Sequence, residues 1–168
     1  MLNWLRDRWK AKPPPSPRVP EIIDAVSRHV QDQVFAFTGG PVAPVPTHST
    51  MTDLLIGAYI WGLLEGYIRH IPGDEPAMTQ ENVRATILVV ANGVCSRVFG
   101  PERAQSVRHQ LPQWEGPPAY HPIFRPELSK MCLRGARDGR YLAAGDPLCF
   151  AKASSLLAFM MRIAEPQI

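Results

Sequence analysis

The sequence has few cysteines, and its cysteines and histidines lack the spacings typical of metal ligands. The 168-residue chain has three cysteines, Cys95, Cys132 and Cys149, and no two of them are closely spaced. An odd number of widely separated cysteines does not fit a disulfide framework, so we expect reduced thiols in a cytoplasmic protein. None of the five histidines has a zinc-ligand spacing to another histidine or to a cysteine. We therefore expect no metal site and no cofactor.

Long apolar runs are also missing. The longest candidate, residues 54–68, is shorter than the roughly 20 residues that cross a bilayer and contains Glu65. The first residues are basic but lack a continuous apolar stretch and a small-residue cleavage site, so we expect no secretory signal. These absences predict a protein that neither spans a membrane nor is secreted.

Catalytic motifs are absent too. The chain has no glycine-rich phosphate loop, no nucleophile elbow and no paired-cysteine motif. Glu65 and His70 are the best candidates for proton transfer. The same residues also fit an ion pair with Arg69 and a histidine at a helix end. We expect no catalytic residues, and an enzyme that uses Glu65 and His70 is our third alternative.

Proline, by contrast, is abundant and divides the chain. There are 18 prolines, roughly twice the average usage. They cluster, and the stretches between the clusters have apolar residues at spacings of three and four, which predicts helices. The fold prediction is an all-α, single-domain bundle of five or six helices. We expect helices over 21–38, 50–71, 79–99, 101–111, 126–138 and 148–164.

Glycines mark boundaries and contacts of these predicted helices. Gly100 and Gly139 are expected to end the helices that precede them. Gly57, Gly62 and Gly66 lie inside an almost entirely apolar helix, where each costs about 1 kcal/mol relative to alanine. That cost is acceptable where another helix approaches closely. The segment 50–71 is therefore predicted to be a central, buried helix.

The N-terminal segment is predicted to be an amphipathic arm. We divide the chain into an arm over 1–12, a proline-rich spacer over 13–20 and a helical globular domain over 21–168. In the arm Leu5 and Trp9 share one apolar face. So short a helix needs a surface to lie on. Three surfaces compete for it: its own domain or a second copy, a groove in another protein, and an anionic membrane.

Charge is unevenly distributed along the chain. The formal charge is +4 over 1–18, −5 over 19–78 and +4 over 79–168. Lys130, Arg134 and Arg137 share one predicted helix face, and Arg140 follows it. This face suits an acidic protein partner, although a solvated surface is an alternative. Few aromatic residues are interleaved with these cations and no helix-turn-helix signature is present, which argues against nucleic acid.

Residues 112–126 form a second candidate contact surface. Trp114, Tyr120 and Phe124 lie among five prolines, which predicts a stiff loop rich in aromatic surface. The alternative is that these rings close one end of the bundle.

The sequence as a whole predicts a non-enzymatic protein-binding module of the inhibitor, toxin-neutralising (immunity) or assembly-adaptor type. Its predicted contact residues are Leu5, Trp9, Trp114, Tyr120, Phe124, Lys130, Arg134, Arg137 and Arg140. The expected partner is another protein with an acidic surface, and self-association is an alternative. The second alternative is a peripheral membrane protein tethered by the arm.

Overall fold

The computed structural model describes residues 18–38, 50–72, 79–115, 125–146 and 148–164, and all its regular structure is helical. The all-α prediction is confirmed. In the described residues there are six helices and no strand. In chain order these are α1 (Val19–Thr38), α2 (Thr50–Ile68), α3 (Gln80–Glu115), α4 (Arg125–Ala143), α5 (Cys149–Lys152) and α6 (Ser155–Ala164).

Apolar residues at helical spacing build the core, as the sequence pattern predicts. On α1, Ile22, Val26, Val30 and Val34 are buried, and each is at most 5% exposed. α2 is apolar nearly all round and buried accordingly. The core side chains of α2, α3 and α6 are buried against one another; they include Tyr59, Ile60, Leu63, Leu64, Ile68, Val83, Ile87, Val90, Val94, Leu156 and Met160. In α3, Leu88 and Val89 lie next to the buried positions Ile87 and Val90 but do not join the core. They are instead about half exposed.

Two pairs of glycines bring α2 and α4 into the most extensive helix contact of the described structure. A Cβ atom on Gly62 would lie 2.0 Å from the carbonyl oxygen of Cys132, and one on Gly66 would lie 2.1 Å from that of Ala136. In the other direction, Cβ atoms on Gly135 and Gly139 would lie 2.1 and 2.2 Å from carbonyl oxygens of α2. Glycines four residues apart on both helices thus let the two backbones touch.

This contact corrects one predicted helix end. Gly139 was expected to stop the helix that begins near residue 126, but α4 continues to Ala143. Gly139 lies in the helix because a larger residue would collide with α2, so its role is packing and not termination. The prediction failed because a glycine that ends a helix and one that admits a neighbour look the same in a single sequence.

The predicted break at Gly100 is confirmed. Gly100 has φ of 75° and ψ of 171° inside α3, so a kink separates the two halves of this helix. Positive φ favours glycine, and Pro101 follows at the first turn of the second half. This second half continues to Glu115, past Pro112, so the prediction of a loop over 112–126 is wrong for residues 112–115, and residues 125 and 126 belong to α4. Residues 116–124 lie outside the described part of the chain. Pro112 removes one backbone hydrogen bond without ending the helix there.

A buried ion pair fixes the second half of α3 against the start of α2. The Arg103 guanidinium contacts the Asp53 carboxylate at 3.0 Å, and both side chains are at most 7% exposed. The Ser106 hydroxyl donates to the other oxygen of Asp53 at 2.6 Å. Buried ion pairs of this kind need well-aligned partners to offset desolvation, and the second hydrogen bond from Ser106 helps to supply that alignment.

Candidate functional site: a basic pocket between α4 and α6

A buried carboxylate forms the base of the candidate site. Asp138 of α4 is fully buried. Its Oδ2 atom accepts hydrogen bonds from the Tyr59 hydroxyl at 3.1 Å and from the backbone N–H of Ser155 at 3.0 Å. Its Oδ1 atom accepts from the Ser155 hydroxyl at 3.1 Å. Because Tyr59 lies on α2, this carboxylate joins three helices.

Gln33 of α1 completes this buried polar cluster. Its Oε1 atom accepts from the backbone N–H groups of Leu156 and Leu157, each at 3.0 Å, and its Nε2 atom donates to the Tyr59 hydroxyl at 3.0 Å. The first N–H groups of a helix have no partner within the helix. In α6 three of them bind side chains of α1 and α4, so partners from distant parts of the chain cap this helix.

This capping explains why the predicted helix over 148–164 is wrong at its centre. The chain forms α5, leaves helical geometry at Ala153 and Ser154, and begins again at Ser155. Asp138 and Gln33 accept hydrogen bonds that a continuous helix would keep for its own carbonyl groups. The apolar periodicity of the sequence continues through the break, so the sequence pattern did not predict the break.

His29 borders the same cluster and is 5% exposed. Burial lowers the pKa of its imidazole below 6.5 through desolvation; Asp138, a hydrogen bond to the backbone of Ala153 and Asp32 act in the opposite direction and are the weaker influences. The Nε2 atom has no hydrogen-bond partner among the described residues. The neutral imidazole is therefore the form that the folded protein favours.

We expect the folded protein to lose stability as the pH falls below 6.5. In that range the unfolded chain takes up a proton at His29 more readily than the folded protein does, so acid favours unfolding. Urea unfolding from pH 7.5 to 5.5 should show the free energy of unfolding falling in wild type, and less steeply in His29→Gln. Equal slopes in the two proteins would contradict this role for His29.

Arg137 links the buried cluster to the surface. Its Nε and Nη2 atoms lie 3.4 and 3.3 Å from Oδ1 of Asp138, and Nη2 also donates to the Ser155 hydroxyl at 3.0 Å. The arginine side chain is 57% exposed, whereas Asp138 is not exposed at all. A guanidinium held in this way keeps a fixed orientation at the surface, which lowers the entropy lost when a ligand binds.

Beside Arg137 lies an open pocket of about 650 Å³. Four cationic side chains contribute to it, two from α4 and one each from α5 and α6. The serine hydroxyls and an apolar wall complete the lining. The lining residues are Arg134, Arg137, Ala151, Lys152, Ser154, Ser155, Ala158, Met161 and Arg162.

Apart from Asp138, which lies beneath Arg137, the carboxylates near this pocket in the described part of the chain lie at its edges. Lys152 contacts Asp146 at 2.6 Å, and this hydrogen bond lowers the pKa of Asp146 and raises that of Lys152. Lys130 contacts Glu127 at 2.7 Å, and this hydrogen bond lowers the pKa of Glu127. Such exposed pairs are weak. The described residues form no salt bridge to Arg134 or Arg162, although the charges of both arginines also lower the pKa of Glu127. Because Arg137 and Lys152 pair with Asp138 and Asp146, Arg134 and Arg162 carry the excess positive charge of the pocket.

The structure brings together half of the predicted basic face. Arg134 and Arg137 line the pocket, whereas Lys130 pairs with Glu127 and Arg140 is exposed farther along α4, outside the lining. Lys152 and Arg162 were not predicted. No periodicity joins them to α4, and only the packing of α5 and α6 places them there.

The aromatic and N-terminal predictions concern other parts of the chain. Leu5, Trp9, Tyr120 and Phe124 lie outside the described residues. Trp114 belongs to the final turn of α3, but its side chain is also outside the description. These predicted contact residues therefore stay predictions.

The alternative catalytic pair has local partners. Glu65 contacts Arg69 at 3.0 Å, and a ring nitrogen of His70 lies 2.8 Å from the carbonyl oxygen of Gly66. Both contacts join the last turn of α2 to the two residues that follow it. The described residues contain no group of histidine, cysteine and acidic side chains that could hold a metal ion. Burial also raises the pKa of the Cys132 thiol to about 12, which favours the protonated thiol over the reactive thiolate.

One segment passes a simple test for a membrane span. Residues 80–107 of α3 are long and apolar enough to cross a bilayer by length and composition, with a third of the most apolar window buried. Core helices of other proteins pass the same test. This segment differs from the apolar run at residues 54–68, and the kink at Gly100 falls inside it.

Searches for similar proteins among protein-family models, curated proteins and solved structures found no match.

Proposed function

We propose that this protein is a non-enzymatic binding module that receives an acidic segment of a partner protein in the pocket between α4 and α6. The observation that carries the proposal is the charge of the pocket: four cationic side chains and no carboxylate among its described lining residues. Arginine dominates the set, and its planar fork suits carboxylate and phosphate groups. A pocket of this charge attracts an acidic segment and repels the basic arm of the same chain.

Apolar surface near the same helices supports a protein partner. Met161 lines the pocket and is 56% exposed, and Leu133, beside Arg134 on α4, is 70% exposed. Tyr141, Leu148 and Phe150 add exposed apolar area on α4 and α5 and in the turn between them. Protein interfaces combine apolar and aromatic anchors with arginine. An acidic segment with apolar residues would satisfy both parts of this surface.

Charge reversal in the pocket tests the proposal. The full chain serves as the bait in affinity capture. The double variant Arg134→Glu/Arg162→Glu should retain about tenfold less of each partner than wild type does, because the reversed charges repel the acidic segment. Arg28→Glu is the matched control. Arg28 is an exposed arginine of α1 outside the pocket, so this variant should capture as wild type does.

Circular dichroism of all three proteins checks that the variants fold. Partners captured by wild type should also dissociate as the salt concentration rises. Undiminished capture by the folded double variant, or equal loss in Arg28→Glu, would contradict the proposed use of the pocket.

A further inference from the structure

We propose that the acidic group taken by this pocket is a phosphorylated serine or threonine of the partner segment. This inference rests on the proposed function and specifies its ligand. It follows from three features of the site: the donors that remain at Arg137, the hydrogen bonds already made at the start of α6, and the limited extent of the positive charge.

Arg137 offers one defined edge to a ligand. Its Nε and Nη2 atoms contact Asp138 and Ser155. The two N–H groups of Nη1 make no hydrogen bond in the described structure. Since a buried carboxylate fixes the rest of the guanidinium, these two donors keep a fixed position at the pocket. Because these two N–H groups diverge from one nitrogen, each can donate a single hydrogen bond to a phosphate oxygen, and the contact is not the parallel pair of a bidentate fork.

The start of α6 contributes serine hydroxyls and charge, but few backbone donors. The N–H groups of Ser155, Leu156 and Leu157 already bind Asp138 and Gln33. An anion in this pocket must therefore be held by side chains, mainly the guanidinium groups of Arg134, Arg137 and Arg162. A phosphate monoester carries about −1.5 to −2 charges and three acceptor oxygens at pH 7. Arg137 and Lys152 already pair with Asp138 and Asp146, so the excess charge is that of Arg134 and Arg162. One carboxylate, with one charge and two oxygens, would balance only one of these two arginines.

The positive charge is local, which favours one phosphate over a polyanion. Asp146 and Glu127 lie beside the cations at the edges and would repel a continuous phosphate backbone. The described lining contains no aromatic ring on which a base could stack. At about 650 Å³ the pocket is larger than a phosphate group. The wall of Ala151, Ala158 and Met161 is placed to contact apolar residues beside the phosphorylated one. Clusters of arginines are a known means of recognising such segments.

The test compares three pools of short, fluorescently labelled peptides with random flanking residues and a central phosphoserine, glutamate or serine. Binding to the full chain is measured by fluorescence anisotropy at constant ionic strength. We expect the phosphoserine pool to bind at least about tenfold more tightly than the glutamate pool. Serine-pool binding should be weaker still.

Variants assign the binding to the pocket. Arg134→Gln and Arg162→Gln should each weaken phosphoserine binding by about tenfold or more, and Arg162→Lys should restore only part of it, because lysine lacks the planar fork. The matched control is Arg140→Gln, on the same helix as Arg134 but outside the pocket, which should bind as wild type does. Equal loss in Arg140→Gln would overturn the assignment.

Acid gives a further distinction. The phosphate takes up its second proton near pH 6, whereas glutamate stays ionised to about pH 4.3. Phosphoserine-pool binding should therefore weaken more than glutamate-pool binding between pH 7.5 and 5.5. A common loss from the protein itself would affect both pools equally.

Four further outcomes would overturn the inference. Equal affinity for the phosphoserine and glutamate pools would contradict a preference for phosphate and would support only the proposed binding of an acidic segment. If neither pool binds although acidic partners are still captured, then the pocket does not bind short phosphorylated or acidic peptides. Displacement by inorganic phosphate at the same concentration as by phosphopeptide would indicate a site for free phosphate. Displacement by a short single-stranded RNA at lower concentration than by phosphopeptide would indicate nucleic acid.

Discussion

Gly135→Ala should lower the free energy of unfolding by about 3 kcal/mol or more. The added Cβ would lie 2.1 Å from the carbonyl oxygen of Tyr59 and 2.8 Å from the backbone nitrogen of Leu63. Both are backbone atoms in the buried centre of α2, so neither can move without shifting the helix. The two glycine pairs would have to separate, which opens the most extensive helix contact in the described structure.

A loss of stability in Gly135→Ala is informative because helix propensity alone would predict a gain. Alanine in place of glycine inside a helix is intrinsically more favourable by about 1 kcal/mol, so any net loss of stability comes from the packing against α2. The matched control is Gly93→Ala in α3, where the added Cβ would meet the end of the Ile23 side chain. A flexible side chain can turn away, so this variant should stay within about 1 kcal/mol of wild type.

Chemical denaturation followed by circular dichroism measures both variants. Failure of Gly135→Ala to fold would agree with the expected collision. A Gly135→Ala protein as stable as wild type would show that α2 and α4 do not pack with their backbones in contact, and would contradict this part of the structure.

Asp138→Asn should cost about 3 kcal/mol of stability. The carboxylate accepts from the Tyr59 hydroxyl, from the backbone and hydroxyl of Ser155, and from Arg137. Asparagine has nearly the same shape but replaces one acceptor oxygen with a donor. Buried donors that face it would lose their partner, and Arg137 would lose the charge that orients it.

The loss should be greatest at the start of α6. Hydrogen exchange should accelerate at the amides of Ser155 and Leu156 in the variant, because Asp138 accepts from the first of them directly. Asp24→Asn is the control, since Asp24 forms an exposed ion pair with Arg97 and such pairs contribute at most about 1 kcal/mol. Unchanged stability in Asp138→Asn would mean that the cluster does not fix α6.

The same variant connects the buried cluster to the pocket. If Arg137 depends on Asp138 for its orientation, Asp138→Asn should also weaken binding of the phosphoserine pool under conditions in which the variant is folded. Arg137 would then be a binding residue whose position is set from inside the protein. In this arrangement one buried carboxylate contributes both to stability and to the pocket at the surface.

Periodicity in the sequence was sufficient to predict most of the helices. Apolar residues at spacings of three and four identify α1 and the first half of α3, and the apolar surround of residues 50–68 identifies the central helix. Gly100 followed by Pro101 indicated the break, because the backbone angles of Gly100 are ones that essentially only glycine adopts and proline is favoured in the first turn of the next helix. These features are local, so they can be read without knowledge of the fold.

The glycines of α4 show where local reasoning ends. Gly62 and Gly66 were interpreted as a place of close approach because they lie within a strongly apolar segment. Gly135 and Gly139 lie among charged residues, and Gly139 was interpreted as a helix stop. Only the opposing helix reveals that the two pairs face each other, since the clash that excludes larger residues involves backbone atoms more than 60 residues away in the chain.

The sequence by itself determined that this protein is helical, where most helices begin, which faces are apolar and that its second half is basic. The tertiary structure decided that the last helix is divided, that Asp138 and Gln33 cap its second part, and that Arg134 and Arg137 share a pocket with Lys152 and Arg162. The physical reason is the distance along the chain over which each interaction acts. Helix formation and amphipathic faces depend on residues three or four positions apart. Caps and charge clusters depend on side chains that only folding brings together.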